Sequence, residues 1–297
     1  MKILGSNENF LGIVEPEFCN YSDASYVIQS VPYEHTSSYL QGSANGPAAI
    51  INASQFVEFY DEETNTEAFK SGIATLEQIE FEGKFDQEAI DLIEEKTLKL
   101  LEDQKFVFSL GAEHTVTLGL VKAHKKYHSR FSVLQIDAHS DLRQSYNGNK
   151  FSHASVMARV HELEGITLSQ VGIRAQCKEE ADLIKSSAKI TTAYAYQIRN
   201  NPNWIKGLMD SLQDKVYITI DADGFDPSIM PAVGTAEPNG LFWNETLELL
   251  REVISKKIVI GVDIVECAPF QNSILSEYTL AKLAYKIITF LEFYKKP

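Results

Sequence analysis

Short apolar runs rich in β-branched residues alternate with amphipathic segments along most of this chain. The predicted strands are 25–32, 105–110, 131–137, 168–174, 216–222 and 258–264. Apolar spacing predicts helices at 86–103, 113–127, 155–163 and 277–294, and Pro47 is placed to begin another. Strands that are apolar throughout and separated by helices favour a parallel sheet covered on both faces. The chain contains no repeat or linker, which predicts one domain over residues 1–297.

The composition argues against several classes of protein. The chain has 297 residues and a formal net charge of −14, which disfavours nucleic acid or an anionic membrane surface as its main partner. Such a chain suits a small cationic substrate, although most of the charge is ordinary surface charge. No run approaches the about 20 apolar residues of a membrane helix, the first residues do not resemble a secretory signal, and the cysteines are scattered. We therefore expect a cytoplasmic protein without disulfides.

Acidic and histidine residues gather where three of the predicted strands end. These clusters are SLGAEH at 109–114, QIDAHSD at 135–141 and TIDADGFDP at 219–227. Side chains two residues apart in extended backbone point the same way, so Asp137, His139 and Asp141 are predicted to converge, as are Asp221 and Asp223. Ligands of α/β sheets gather at the carboxyl ends of the strands, which is where these residues fall.

A pair of metal ions would explain this concentration of carboxylates. Grouping them at the ends of apolar strands is costly unless positive charge compensates, and the two aspartate-bearing strands contain no lysine or arginine. The predicted ligands are His114, Asp137, His139, Asp141, Asp221 and Asp223. Four aspartates balance two divalent cations, and oxygen-rich ligation without thiolate favours Mn²⁺ over a structural zinc site. Each motif alone would fit a helix cap or a turn, so the prediction depends on the joint pattern.

The ordered motifs resemble the ureohydrolase (arginase/agmatinase) family. The matching blocks are PYEHTSSY at 32–39, GAEH at 111–114, DAHSD at 137–141, TIDADGFDP at 219–227 and GVDIVECAP at 261–269. The resemblance runs to the last helix and so covers nearly the whole chain. It implies a three-layer αβα fold with a mainly parallel central sheet, two Mn²⁺ ions per chain, and a homo-oligomer that is a trimer or a hexamer.

The resemblance also implies a role for each site residue. One metal ion would bind His114, Asp137, Asp141 and Asp221, and the other would bind His139, Asp137, Asp221 and Asp223. His153 matches the histidine that shuttles protons, and Glu266 matches the carboxylate that holds the guanidinium group. The chain departs from the family at Ala112 and Glu113, which replace Gly-Asp, and at Thr219, which replaces serine. None of these departures removes a ligand.

The motifs favour hydrolysis of agmatine to putrescine and urea. The segment between Asp141 and His153 lacks the Ser/Thr-rich run of an arginase, and it looks like agmatinases instead. Aminopropylagmatine is the first alternative, followed by arginine, guanidino acids and formiminoglutamate. A single-zinc deacetylase and a non-enzymatic metal-binding homologue are alternatives from other classes.

The sequence also suggests roles for other polar residues. Asp226 is predicted to cap the turn before Pro227 and to have no catalytic role. His35 is predicted to line the pocket or contact another subunit. The remaining histidines, at His124, His128 and His161, are predicted to be solvated helix positions.

Overall fold

The alternating strands and helices form one parallel sheet. The structure, a computed structural model, describes residues 2–295, so positions 1, 296 and 297 of the predicted domain lie outside it. Within that range the strands are β1 (Tyr26–Val31), β2 (Ile73–Thr75), β3 (Phe106–Gly111), β4 (Phe131–Ile136), β5 (Ile166–Ile173), β6 (Ile190–Tyr194), β7 (Lys215–Asp221) and β8 (Ile258–Val265). Their order is β2-β1-β3-β8-β7-β4-β5-β6, and every neighbouring pair is parallel. The predicted parallel central sheet is confirmed.

Helices cover both faces of this sheet. They are α1 (Pro16–Cys19), α2 (Gly46–Ser54), α3 (Asp86–Glu102), α4 (Val116–Tyr127), α5 (Val156–His161), α6 (Lys178–Ser186), α7 (Ala195–Ile198), α8 (Trp204–Ser211), α9 (Trp243–Lys256) and α10 (Leu275–Phe293). Helices α2, α7, α8, α9 and α10 pack in one apolar core, and α3, α4, α5 and α6 pack in the other. This is the three-layer αβα arrangement that the resemblance implies.

Alternate residues of the central strands enter the two cores. In β4, Phe131 and Val133 pack on the α4 side, whereas Leu134 and Ile136 pack on the α9 side. All four side chains are fully buried, and burial of each contributes about 1.5–3 kcal/mol. Because both faces are covered, the strand is apolar at every one of these positions, which is why the run was recognisable in the sequence.

The strands β2 and β6 were not predicted. Each lies at an edge of the sheet, so each pairs with only one neighbour. Strand β2 contains three residues, and β6 includes Thr191 and Thr192 and is only partly buried. Neither forms a long apolar run, because β2 is buried but short and β6 is only partly enclosed at its edge of the sheet.

The prediction that His124 is solvated is wrong. Its side chain is buried between α4 and β8. Nδ1 lies 2.9 Å from the Leu120 carbonyl oxygen, and Nε2 lies 3.0 Å from the Ile260 carbonyl oxygen. Gly261 makes room for the ring, since a Cβ there would lie 2.5 Å from Nε2. The rings of His128 and His161 are half-buried. Helical spacing places a residue on a face of its own helix but does not show what packs over that face.

Two further expectations concern membranes and disulfides. Within residues 2–295, no helix is both long and apolar enough to cross a bilayer. Cys19, Cys177 and Cys267 are free thiols, which agrees with their scattered positions.

Gly224 lets the turn after β7 approach the end of β4 closely. It ends the 3-10 turn Ala222–Gly224. A Cβ atom added there would lie 2.9 Å from the Asp137 backbone nitrogen and 3.0 Å from the Ile136 carbonyl carbon, which is closer than side chains normally pack. This contact therefore sets the spacing between the second and third acidic clusters.

We expect Gly224→Ala to lower the free energy of unfolding by about 1–3 kcal/mol, because the added methyl group must push two strand ends apart. Gly207→Ala in α8 is the matched control, since a Cβ there meets nothing within 4 Å. The control should be neutral or stabilise the protein by about 0.5–1 kcal/mol. Urea denaturation measures both variants, and equal unfolding free energies would contradict a tight contact at Gly224.

Candidate active site

The acidic clusters meet because their strands are neighbours at the centre of the sheet. Strands β3, β8, β7 and β4 are adjacent and parallel, so their carboxyl ends lie at one edge. They lead respectively to His114, Glu266, Asp221 and Asp137. This is the edge at which α/β sheets bind ligands.

The second cluster converges through a turn, not through the extended backbone that the sequence suggested. Strand β4 ends at Ile136, just before Asp137, the first acidic residue of the cluster. The Oδ1 atom of Asp137 accepts a hydrogen bond of 2.6 Å from the His139 backbone N–H, and Asp141 has a φ of +54°. A non-glycine residue in this left-handed region is strained, and such strain is concentrated at functional sites. The convergence of these residues was predicted, but its geometry was not.

The third cluster is built on the cap of a short turn. Asp221 ends β7, and its Oδ1 atom accepts a hydrogen bond of 2.8 Å from the Asp223 backbone N–H. Asp223 in turn accepts one of 3.2 Å from Ala138 N–H, which ties this cluster to the second. Arg174, which follows β5, donates to the carbonyl oxygens of Asp223 and Glu237 at 2.5 and 2.9 Å. The arginine therefore fixes the backbone of this cluster from behind.

Two groups of side chains have the geometry to hold a metal ion. They are His114, Asp137 and Asp141, and Asp137, His139 and Asp223, with candidate ligand atoms within 4.8 Å of one another in each group. Nδ1 of His114 lies 3.0 Å from an oxygen of Asp137 and 3.0 Å from one of Asp141. Nδ1 of His139 lies 3.0 Å from Asp223. The structure thus brings two triads together around a shared aspartate.

Asp221, the sixth predicted ligand, lies at the edge of these triads. Its Oδ2 atom is 3.4 Å from His114 Nδ1, but the aspartate belongs to neither compact group. It lines the same cavity as His139, Asp141 and Asp223. All six predicted ligands are therefore in one place, with Asp221 less tightly gathered than the others.

A buried chain of hydrogen bonds fixes the orientation of the His114 ring. Thr219 donates its hydroxyl hydrogen to Asp263 at 2.6 Å, because a carboxylate oxygen only accepts. Its oxygen, 2.9 Å from His114 Nε2, must then accept the Nε2–H. Nδ1 is then the nitrogen that faces the aspartates, where it is buried without a hydrogen-bond partner in the described structure, and a cation would have to lie between its lone pair and their oxygens. Such orientation is typical of a metal-binding imidazole.

The carboxylates also need more positive charge than neighbouring side chains supply. Burial and the carboxylates of Asp223 and Asp137 raise the pKa of Asp221 well above its usual range. Burial and Asp137 raise the pKa of Asp141 to about 7. Burial would raise the pKa of Asp223 as well, but the adjacent His139 lowers it to about 2. Divalent cations would stabilise the ionised aspartates, so the donor set fits the implied metal ions.

Glu266 and His153 lie in the wall of the same cavity, whose volume is about 200 Å³. Glu266 has a φ of +62°, and its Oε1 atom accepts a hydrogen bond of 2.7 Å from the His114 backbone N–H. His153 begins the 3-10 turn His153–Ser155, and its ring contacts Tyr146 at a centroid distance of 5.7 Å. Both predicted catalytic residues therefore face the space beside the metal triads.

Asp226 and His35 lie outside the two triads. Asp226 caps the turn as predicted, since its Oδ1 atom accepts a hydrogen bond of 3.1 Å from Ser228 N–H. Its Oδ2 atom also accepts from Asn239 N–H at 3.0 Å, which closes the loop that follows. The ring of His35 packs against Phe85, with a centroid distance of 4.5 Å, and is not among the cavity-lining residues.

Several residues that support the site were not predicted. Gln135 donates to Asp137 Oδ2 at 2.7 Å, and Gln170 donates to Gln135 at 2.7 Å. With Asp263 and Arg174, they hold the predicted ligands on the side away from the cavity. The only signal in the sequence was a polar residue inside an apolar strand, as for Gln135 in β4 and Asp263 in β8. Such a residue must find a partner when buried, but the sequence does not show which one.

Comparisons with known proteins agree with this geometry. A sequence profile of the arginase family matches residues 24–289. The N(1)-aminopropylagmatine ureohydrolase of Synechocystis sp. is 43% identical over 276 residues, which are 91% of this chain and 90% of that protein. The agmatinase of Pyrococcus horikoshii is 32% identical over 268 residues, which are 90% of this chain and 92% of that protein.

A solved structure gives the same result for the fold. The crystal structure of the agmatine ureohydrolase of Thermoplasma volcanium superposes with a TM-score of 0.84 at 30% sequence identity, covering 99% of this chain and 95% of that one. The family resemblance of the motifs and the fold class are confirmed. The chain belongs to the arginase family, and it is a hydrolase that acts on the C–N bonds of guanidino compounds.

Proposed function

We propose that this protein is a dimanganese ureohydrolase that releases urea from a guanidinium substrate. The observation that carries the proposal is the pair of metal-binding triads that share Asp137. The proposed ligands are those predicted from the sequence: His114, Asp137, His139, Asp141, Asp221 and Asp223. Asp137 belongs to both triads and would serve both ions, and Asp221 would complete the set from the edge of the triads. Carboxylate and imidazole donors without thiolate favour Mn²⁺.

The proposed mechanism divides the work between Glu266 and His153. When bound, two divalent cations supply an activated water at neutral pH. The carboxylate of Glu266 accepts hydrogen bonds from the guanidinium group, while its Oε1 atom is held by His114 N–H. His153 delivers a proton to the departing amine, which cannot leave as an anion. Burial lowers the pKa of His153 below its usual range, so the ring is neutral at pH 7 and able to accept a proton first.

N1-aminopropylagmatine is the proposed preferred substrate. The motifs alone favour agmatine, but the relatives support the longer compound better. The 43% identical protein and two Thermus proteins at 36% identity are all named N(1)-aminopropylagmatine ureohydrolase. Agmatine remains the second candidate, supported by the more distant agmatinases.

The mouth of the cavity suits a cationic tail. Tyr39, which is 75% exposed, lines it together with the hydroxyl groups of Ser37 and Ser38, whereas the Tyr146 ring is already covered by Arg143 at 5.6 Å from its centroid. Aromatic faces attract ammonium groups, and a hydroxyl oxygen accepts their hydrogen bonds. N1-aminopropylagmatine carries ammonium groups beyond the guanidinium end, so its tail gains contacts that agmatine cannot make.

We expect the Mn²⁺-loaded protein to release urea from N1-aminopropylagmatine with a kcat/KM about tenfold higher than from agmatine, because 1.4 kcal/mol of added contact is a factor of ten. Arginine and guanidino acids, whose carboxylates meet an acidic site, should react more slowly than either. A colorimetric urea assay on this panel measures the preference, with ammonia and formamide assays for formiminoglutamate. No urea from any guanidino compound, with metal ions bound, would contradict the proposal.

We expect His114→Ala to reduce bound manganese from about two ions per chain to about one, because one triad loses its only imidazole. His161→Ala is the control, since this half-buried histidine lies on α5 and its Nε2 atom is 3.4 Å from the Ser187 hydroxyl, away from the triads. Elemental analysis of dialysed protein gives the metal content. Unchanged content in His114→Ala would remove this residue from the ligand set.

We expect Glu266→Gln to lower kcat/KM about 10- to 100-fold, because a hydrogen bond to a charged group contributes about 1.5–3 kcal/mol. Bound manganese should not change, since Glu266 is not a proposed ligand. Glu248→Gln makes the same chemical change on the exposed face of α9 and should have no effect. Steady-state kinetics distinguish the two variants, and wild-type kcat/KM in Glu266→Gln would exclude the proposed binding role.

A further inference from the structure

A buried carboxylate beside the active site belongs to neither metal triad. Glu113 is fully buried, although it directly precedes His114 in the chain. Its Oε2 atom accepts backbone hydrogen bonds from His35 N–H at 2.9 Å and Thr36 N–H at 2.6 Å. The side chain therefore points away from the proposed metal ions and toward the loop that follows β1.

The hydroxyl of Thr36 connects this carboxylate to His153. Its Oγ1 atom lies 3.1 Å from Glu113 Oε2 and 3.0 Å from His153 Nδ1. It also accepts the His153 backbone N–H at 3.1 Å. The carboxylate, the hydroxyl and the imidazole thus form a continuous chain, and the last member is the proposed proton carrier.

The hydrogens in this chain can be assigned from the contacts. Two backbone N–H groups already point at Glu113 Oε2, so that oxygen carries no hydrogen and can only accept. The single hydroxyl hydrogen of Thr36 must therefore point to Glu113, because the opposite arrangement would bring two lone pairs together at 3.1 Å. Thr36 then has no hydrogen left for His153, so the ring must donate Nδ1–H to Thr36. This assignment does not depend on whether the other oxygen of Glu113 is protonated.

We propose that Thr36 and Glu113 are positioning residues that hold His153 in the tautomer protonated at Nδ1. The ring nitrogen left for the cavity is then Nε2, with a lone pair ready to accept a proton. Tyr146 packs against the ring and limits its rotation. The kinetic part of this inference rests on the proposed role of His153 in ureohydrolysis, whereas the tautomer itself does not.

The inference also explains the departure at position 113. Glutamate is one methylene longer than the aspartate of the family motif. In this chain the longer side chain reaches the backbone N–H groups of residues 35 and 36. The Glu113 backbone N–H also donates to the Tyr33 carbonyl oxygen at 3.1 Å. The residue therefore fastens the loop after β1 to the end of β3.

The first test measures the tautomer directly, without using activity. Histidine-specific ¹⁵N labelling of the protein loaded with diamagnetic Zn²⁺ shows which ring nitrogen of His153 carries hydrogen, and His153→Ala assigns the signal. We expect Nδ1–H in the wild type and in Thr36→Ser, which keeps the hydroxyl. Thr36→Val, which keeps the shape but loses the hydroxyl, should shift the population toward Nε2–H.

The second test measures kinetics with Mn²⁺ bound. We expect Thr36→Val to lower kcat about 10- to 100-fold with KM changed less than about threefold, as for other partners that orient a reactive imidazole. Thr36→Ser should restore most of this loss. Thr64→Val is the matched control, because its hydroxyl bonds the buried carboxylate of Asp61 at 2.9 Å away from the site and should not change kcat.

A double variant separates positioning from general structural damage. If Thr36 acts through His153, adding Thr36→Val to His153→Ala should cost less than about twofold further in kcat. A full additional loss in the double variant would overturn the inference, as would an Nε2–H tautomer in the wild type or an unchanged tautomer in Thr36→Val. If the wild type releases no urea, the proposed function fails, while the labelled spectra still decide the tautomer.

Discussion

Concentrated negative charge at one end of the sheet is the constraint on which the rest of this structure depends. Asp137 and Asp221, at the ends of β4 and β7, are buried and lie 3.0 and 3.4 Å from His114 Nδ1, and Glu266 lines the cavity beside them. Holding them there requires strained backbone at Asp141 and Glu266, a glycine at position 224, and an arginine that clamps the turn after β7. The apolar cores on both faces of the sheet offset the free-energy cost of the strained backbone and the grouped negative charge.

A hydrogen-bonded chain of imidazole, hydroxyl and carboxylate occurs twice around the site. His114 donates to the hydroxyl of Thr219, which donates to Asp263, and His153 donates to Thr36, which donates to Glu113 under the assignment proposed above. The first chain leaves Nδ1 facing the aspartates, and the second leaves Nε2 facing the cavity. Two of the departures from the family pattern, Glu113 and Thr219, are members of these chains.

Local patterns in the sequence predicted the central sheet and brought together the residues of the candidate site. These patterns succeed because a strand buried on both faces must be apolar throughout, and because acidic residues after such strands stand out. They fail where the deciding contact is distant in sequence. The burial of His124 depends on Gly261, and the role of Asp263 depends on Thr219 of another strand. The left-handed backbone of Asp141 is likewise imposed by the assembled site, since nothing in its neighbouring residues requires it.

The strand order has a consequence for when the proposed metal site becomes complete during folding. Strand β8 lies between β3 and β7, so the residues from 114 to 266 meet only after nearly the whole sheet has assembled. Contacts between such distant segments form slowly, and a partly folded chain has no complete ligand set. Ions that bind only the finished site draw the folding equilibrium toward it. Under the proposed function, metal binding would be a late event that marks completed folding, because the ligands are complete only in the assembled sheet.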